Sequence, residues 1–482
     1  MKFTPAFIWV LLFSCFRPGF TQAVWEKGTA INLTAEDRVP GILPMGKNGL
    51  AVYREVSRDE ALGIKSWDIS IYDAGLDLSW HRVISLDYGL EVSQQAWSGR
   101  YSYILFEGIK NLKRQVQVLC IDPAGQELKL FRISNFLPSF VFKFGAFRDV
   151  LVFAGFEKLK LSVVIYKFDD DRPMILQGLY SNKIRLLDLD IDPVNELITV
   201  LTSFKNQRGY SSIGLRSYDR EGRSIENLNI EPVENKTLTD ATSGIINGKY
   251  RLVAGLYRKR NSLFPDGIFF TTVAPDGKQS SRYYRFVTLF RDSLNSGAGR
   301  APGKKNKNES SFDSDWSLGR ITMIHGNPVL LAETYDRTEK GAMAPNILSD
   351  ISYFYQTGYA LFLEDTSRVK NYFTFDFGGM VNNRLRNHLF IVPSDTGAWF
   401  GFQDYDRIEL MKISEDDIPK DTLAFSLPEI SGLVTGHASF YHSESGFVSW
   451  FDRSFIYFCL KSEGNQDLED RRTFCIEKIN FR

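Results

Sequence analysis

The sequence predicts an all-β chain folded as a β-propeller of eight blades, with seven as the alternative, and three observations lead there. Short acidic turns recur between strand-like runs: Asp73-Ala-Gly75, Asp122-Pro-Ala-Gly125, Asp169-Asp-Asp-Arg-Pro173, Asp219-Arg-Glu-Gly222, Pro275-Asp-Gly277, Glu364-Asp-Thr366 and Asp404-Tyr-Asp406. The first four are spaced roughly 48 residues apart, a period of stacked supersecondary units. The runs between turns have strand length, and no long stretch carries a helical period. Aromatic residues make up 14% of the chain, with 38 Phe and 21 Tyr, a bias toward side chains that fit pleated surfaces. A lone four-stranded sheet buries too little apolar surface to stand by itself. Stacking such sheets around an axis covers both faces and removes most exposed edge.

Taken in order, the strand groups fall at 41–86, 91–133, 140–180, 184–230 and 238–289. The period then breaks at a Gly- and Lys-rich stretch near 292–315, too polar to fold alone and read as a flexible basic insertion. A sixth blade follows at 320–377 with a loop insertion near 338–355, then a compact seventh at about 381–413. The last group, near 438–481, holds three clear strands, and Trp25–Leu33 at the other terminus is expected to supply the fourth. Residues 24–482 thus read as one propeller domain.

Residues 1–23 read as a secretory signal peptide. Lys2 starts it, Ala6 to Ser14 form a short apolar run, Pro18-Gly19 break it, and Ala23 ends it among small residues. The run falls short of the roughly 20 residues that a membrane span needs, and no later segment is long and apolar enough. Leu12-Phe-Ser-Cys15 loosely matches a lipobox, which makes lipidation at Cys15 the alternative to cleavage at Ala23. The expected location is exported: periplasmic, cell-surface or extracellular. Cys459 and Cys475 flank a polar loop whose midpoint is also theirs, so an antiparallel hairpin sets them opposite each other, within reach of a disulfide. Cys120 reads as a small core residue.

The stretches Ser449-Trp-Phe-Asp452, Phe455-Ile-Tyr-Phe458, Phe474 to Phe481, Gly267-Ile-Phe-Phe-Thr-Thr272 and Arg282-Tyr-Tyr-Arg-Phe286 resemble an uncharacterised family of secreted β-propeller-like proteins of Bacteroidota. The resemblance implies an exported bacterial protein with no known activity, and it carries over no functional residue.

Chemical motifs are sparse. Asp188-Leu-Asp-Ile-Asp192 with Glu196 has calcium-loop spacing, but Pro193 stands where the loop needs a sharp glycine turn. The alternative is a strand with one acidic face running into a turn. His437 and His442 fall on opposite faces of a strand, which is wrong for shared ligation. No nucleophile elbow, zinc-protease helix or phosphate-cradling loop is present. No catalytic residue, metal site or cofactor is assigned.

What stands out is charge sorted by loop class. In a four-stranded blade the loops joining strands two and three emerge on one face, and those joining strands three and four on the other. The second class is read as holding the acidic turns. The first is basic: Lys110, Lys113 and Arg114; Lys158 and Lys160; Lys205 and Arg208; Arg258, Lys259 and Arg260; then Arg337 and Lys340. Formal net charge is zero, so nothing global draws the chain to nucleic acid. The expectation is a non-enzymatic binding or scaffold propeller engaging an anionic partner (a glycan, lipopolysaccharide or an acidic protein surface) through these loops. The alternative is an enzyme acting on polysaccharide with paired carboxylates near the axis.

Overall fold

The computed structural model describes residues 23–481 except 291–313, 341–349, 427–438, 464–470 and interruptions of five residues or fewer. Seven four-stranded antiparallel sheets follow one another, each paired in chain order. Their strands fall within 41–87, 91–133, 140–175, 184–230, 236–285, 315–382 and 389–426, here blades 1 to 7. In blade 8 the short strands Ser439–Phe440 and Gly446–Ser449 pair with Ser454–Glu463, and that strand pairs with Arg471–Phe481. Ala23–Leu33, from the other end of the chain, pairs with Arg471–Phe481 as the outermost strand.

The ring is visible in how apolar side chains pair off. Eight buried clusters form among the described residues, and each is shared by two consecutive blades. Between blades 3 and 4, for example, Val152 and Val163 meet Leu186 and Val200. The cluster that closes the circle sets Leu50 and Val52 of blade 1 against Ile456 and Phe474 of blade 8. Trp450 then donates Nε1–H to the Gly49 carbonyl across that seam at 2.8 Å. Gly49 has φ 109°, and a Cβ there would stand 2.0 Å from the Tyr72 oxygen, so the turn requires glycine.

Burial follows position in the blade. Val150–Glu157, a second strand, is buried over its first six residues because neighbouring blades cover both faces. Ser224–Ile230, a fourth strand, exposes most of its residues at the rim. The first strands of blades 2 to 6 contact one another in sequence and therefore line the axis.

Four expectations are corrected. Blade 7 is not 381–413: Val381 belongs to Arg368–Asn382, the last strand of blade 6, and Pro419–Ser426 completes blade 7. Two strands of 15 residues in blade 6 lengthen that unit and displaced the reading. Of the loop insertion near 338–355, the described residues 338–340 and 350–355 extend the same hairpin, with Thr338 paired to Ser352 and Lys340 to Asp350. Residues 286–289 form one helical turn rather than strand, with Phe286 stacked on Trp316 at 4.0 Å. The fourth strand of blade 3 ends at Ile175, and Leu176 and Leu179 turn into the core from beyond it. The signal segment 1–22 and most of the basic insertion lie outside the described residues.

Candidate functional site

Because every blade runs from axis to rim in the same order, the loops joining second and third strands share one face with the connectors between blades. Contacts bear this out. Arg114 donates to the Ser139 carbonyl in the next connector at 2.7 Å, and Lys160 lies 4.7 Å from the Tyr180 ring in another. Arg260 of blade 5 lies 5.5 Å from the ring of Tyr210, in the corresponding loop of blade 4.

The predicted cations sit on this face but differ in what they touch. Arg114 pairs with the largely buried Glu107 at 2.7 Å, and Arg258 donates to the carbonyls of Ser262 and Leu263. Lys259 reaches Asp266 only at 3.9 Å. Lys110 and Lys113 close the blade 2 hairpin as a register pair, and their side chains lie outside the described residues, as does that of Lys340. Lys158, Lys205 and Arg208 are exposed, and none has a carboxylate partner among the described residues. The free positive charge therefore gathers on blades 3 and 4, with exposed Arg260 of blade 5 beside them. Among the described residues blade 1 offers no free cation here: buried Lys65 meets Glu91, the first residue of blade 2, at 2.5 Å and Glu55 at 3.7 Å.

The acidic face is not a free field. In five of the turns a carboxylate caps its own backbone, Asp73 accepting from Gly75 and Asp77, Asp122 from Gly125, Asp170 from Arg172, Asp219 from Glu221 and Arg223, and Asp276 from Lys278. Cations then pair with these or neighbouring acids: Arg100 with Asp122, Arg223 with Asp219, Arg148 with Glu196, Arg220 with Asp149. Turn formation explains these residues, and of the two charged faces expected from the loop classes only the basic one is left with unpaired charge among the described residues. The Asp404-Tyr-Asp406 segment follows the pair Asp404 and Arg407 and joins second to third strands, so it belongs to the basic class of loops. The calcium spacing resolves into strand Ile184–Asp192, where Asp192 caps Val194 and Asn195. His437 and His442 lie outside the described residues.

A second constellation was missed from sequence. The first strands of blades 2 to 5 each carry a bulge at an equivalent register, immediately before Gln94, Lys143, Asp188 and Asp240. Bulges re-aim side chains, and here they bring charge together beside the axis. Lys143 meets Asp188 at 3.2 Å, and Thr242 donates to the same carboxylate at 3.4 Å. Burial pushes the Asp240 carboxyl up to about 6, against the Ala241 N–H that it accepts at 2.9 Å. Asp190 is raised by burial too, with Arg320 of blade 6 opposing. Arg320 also edges a cavity of about 220 Å³ between the first strands of blades 6 and 7. There the buried Glu333 accepts from the backbone N–H groups of His388 and Leu389 at 2.6 and 2.7 Å. The available signal was a charged residue inside an otherwise apolar first strand, such as Lys143 between Phe142 and Phe144.

Cys459 and Cys475 are register partners in blade 8 and both are buried against blade 7, and no disulfide joins them in this structure. Cys120 is buried, which pushes its thiol up to about 12.

The sequence matches no family model and no curated protein, which leaves the resemblance to a Bacteroidota family as an expectation. Solved structures similar in shape include polysaccharide lyase Uly1, at 11% identity over 81% of this chain and 89% of that one, with a TM-score of 0.41. The β-propeller domain of the Trilobed protease from Pyrococcus furiosus is 11% identical over 80% and 93%, with a TM-score of 0.36. Porphyromonas gingivalis dipeptidyl peptidase 4 is 11% identical over 89% of this chain and 58% of that one, with a TM-score of 0.44. At these scores the likenesses carry no argument about what this chain binds or does.

Proposed function

We propose that this chain is an exported binding propeller that engages an anionic partner through the loops between second and third strands, chiefly those of blades 3 to 5. One observation carries the reading: Lys158, Lys205 and Arg208 project from one face without carboxylate partners, whereas the acids of the opposite face are engaged by their own turns and cations. Sulfate, phosphate and carboxylate are the groups that such cations hold, and contacts of this kind weaken as salt rises. The test is binding to a soluble sulfated glycan at low salt. Wild-type protein should bind, and the Lys158→Glu, Lys205→Glu, Arg208→Glu variant should lose at least tenfold in affinity while melting at nearly the same temperature. Equal binding by the variant, or none by the wild type, contradicts the reading.

The axial band favours a second reading, acid–base chemistry on polysaccharide. A carboxyl that keeps its proton to about pH 6, as Asp240 does, beside a carboxylate held by Lys143, as Asp188 is, suits proton donation to a leaving oxygen. Release of reducing ends from polysaccharide, abolished by Asp240→Asn, would establish it. Its absence from a broad polysaccharide panel would count against it.

A further inference from the structure

The face that carries the free cations is also where exposed apolar side chains collect. Leu159 and Leu263 are 85% and 83% exposed at the tips of the second-to-third loops of blades 3 and 5, and Ile109 is 77% exposed beside that of blade 2. Phe140, Tyr180 and Val233 are exposed in or beside the connectors between blades 2 and 5, on the same face. The opposite face shows fewer, among them Val194 and Trp97. Scattered apolar residues are ordinary on a surface. A set that crowns one face and alternates with Lys158, Lys205, Arg208 and Arg260 is not scattered.

The tip of blade 3 adds an independent observation. Glu157 and Lys160 are paired, so Lys158-Leu159 is a two-residue hairpin loop, and both residues have positive φ, 48° and 65°. Such turns ordinarily use Asn-Gly, because a branched side chain resists this conformation. Here the chain holds a leucine in an unfavourable conformation and points it at solvent. Positive φ also occurs at Leu76, Gln126, Arg148 and Glu196 on the opposite face, but at 158–159 it falls on two successive residues and leaves the leucine exposed, the combination that points to a contact.

We infer that this face docks on an anionic lipid surface, with Leu159, Leu263 and Ile109 entering the hydrocarbon boundary and Lys158, Lys205 and Arg208 meeting headgroup phosphates. Apolar tips ringed by cations match the layered chemistry of such a surface, apolar within and negative at the boundary. The inference rests on the proposed binding face and names its partner.

The experiment is cosedimentation with vesicles of phosphatidylglycerol and, separately, of phosphatidylcholine, with sulfated-glycan binding measured in parallel. Wild-type protein should bind the phosphatidylglycerol vesicles at least tenfold more tightly than phosphatidylcholine. Leu159→Ser with Leu263→Ser should lose at least tenfold on vesicles and keep glycan binding, and the triple charge reversal should lose both. Unaltered vesicle binding by the leucine variant overturns the inference, as does equal binding to both lipids. Glycan binding without vesicle binding overturns it and leaves the anionic face standing. Loss of neither ligand on charge reversal removes both.

Discussion

Asp240 follows the bulge in the first strand of blade 5, and burial keeps its carboxyl protonated to about pH 6. A raised carboxyl holds its proton more tightly in the folded chain than in the unfolded one. Its stabilising contribution is therefore complete below the ordinary carboxyl range and lost as pH rises through about 6. Asn cannot ionise and can still accept the Ala241 N–H. Asp240→Asn should consequently stabilise the protein by on the order of 2 kcal/mol at pH 7.5 and leave it nearly unchanged at pH 4. Urea unfolding at both pH values checks this, and an equal gain at both would refute burial as the cause. At the same scale, the opposed and buried Cys459 and Cys475 predict a cross-strand bridge in protein folded under oxidising conditions. Thiol titration after denaturation, on a chain lacking residues 1–23, should count one thiol, from Cys120; three would exclude the bridge. Individual residues were the least legible part of the sequence. Asp73, Asp219 and Asp276 are recognisable as turn formers, but that their charge is absorbed by the backbone of their own turns, and by Arg223 and Lys278 within them, depends on side-chain placement that sequence does not display.

The hairpin through Lys158 and Leu159 shows what an element can sacrifice. Two non-glycine residues with positive φ each cost on the order of 1 kcal/mol. Lys158→Asn with Leu159→Gly should therefore raise stability by about 1 kcal/mol while weakening binding, and a melting curve with a binding assay on one sample reads both. Lower stability in that variant would mean the turn is not strained. Elements elsewhere were easy to place. Glu91–Trp97, Glu127–Ile133 and Phe140–Phe147 begin or end where the groups at 91–133 and 140–180 were expected to, because apolar alternation bounded by turn residues marks half-buried strands. The bulges before Lys143, Asp188 and Asp240 were invisible, since a bulge exists only relative to the partner strand. With them went the axial charge band.

For the whole molecule, closure depends on joining the two ends of the chain. Ala23–Leu33 covers the edge of Arg471–Phe481, buries Leu33, and lets Glu26 pair with Lys478 at 2.8 Å. Deleting residues 23–33 should lower the unfolding midpoint by on the order of 10 °C in calorimetry; an unchanged midpoint would mean that the ring closes without it. This join was legible because the last group lacked one strand and the first residues after Ala23 had no blade of their own. Blade 7 was misplaced because the long hairpin of blade 6 breaks the period that guided the reading. In the proposed reading one face of this ring binds anions and the other does not. Hydrogen–deuterium exchange with and without a sulfated glycan tests it most directly. Protection is predicted at 157–161, 205–211 and 258–266, with no change at 73–77, 122–126, 219–223 and 274–278. Protection confined to the second set, or absent from both at saturating glycan, would contradict it.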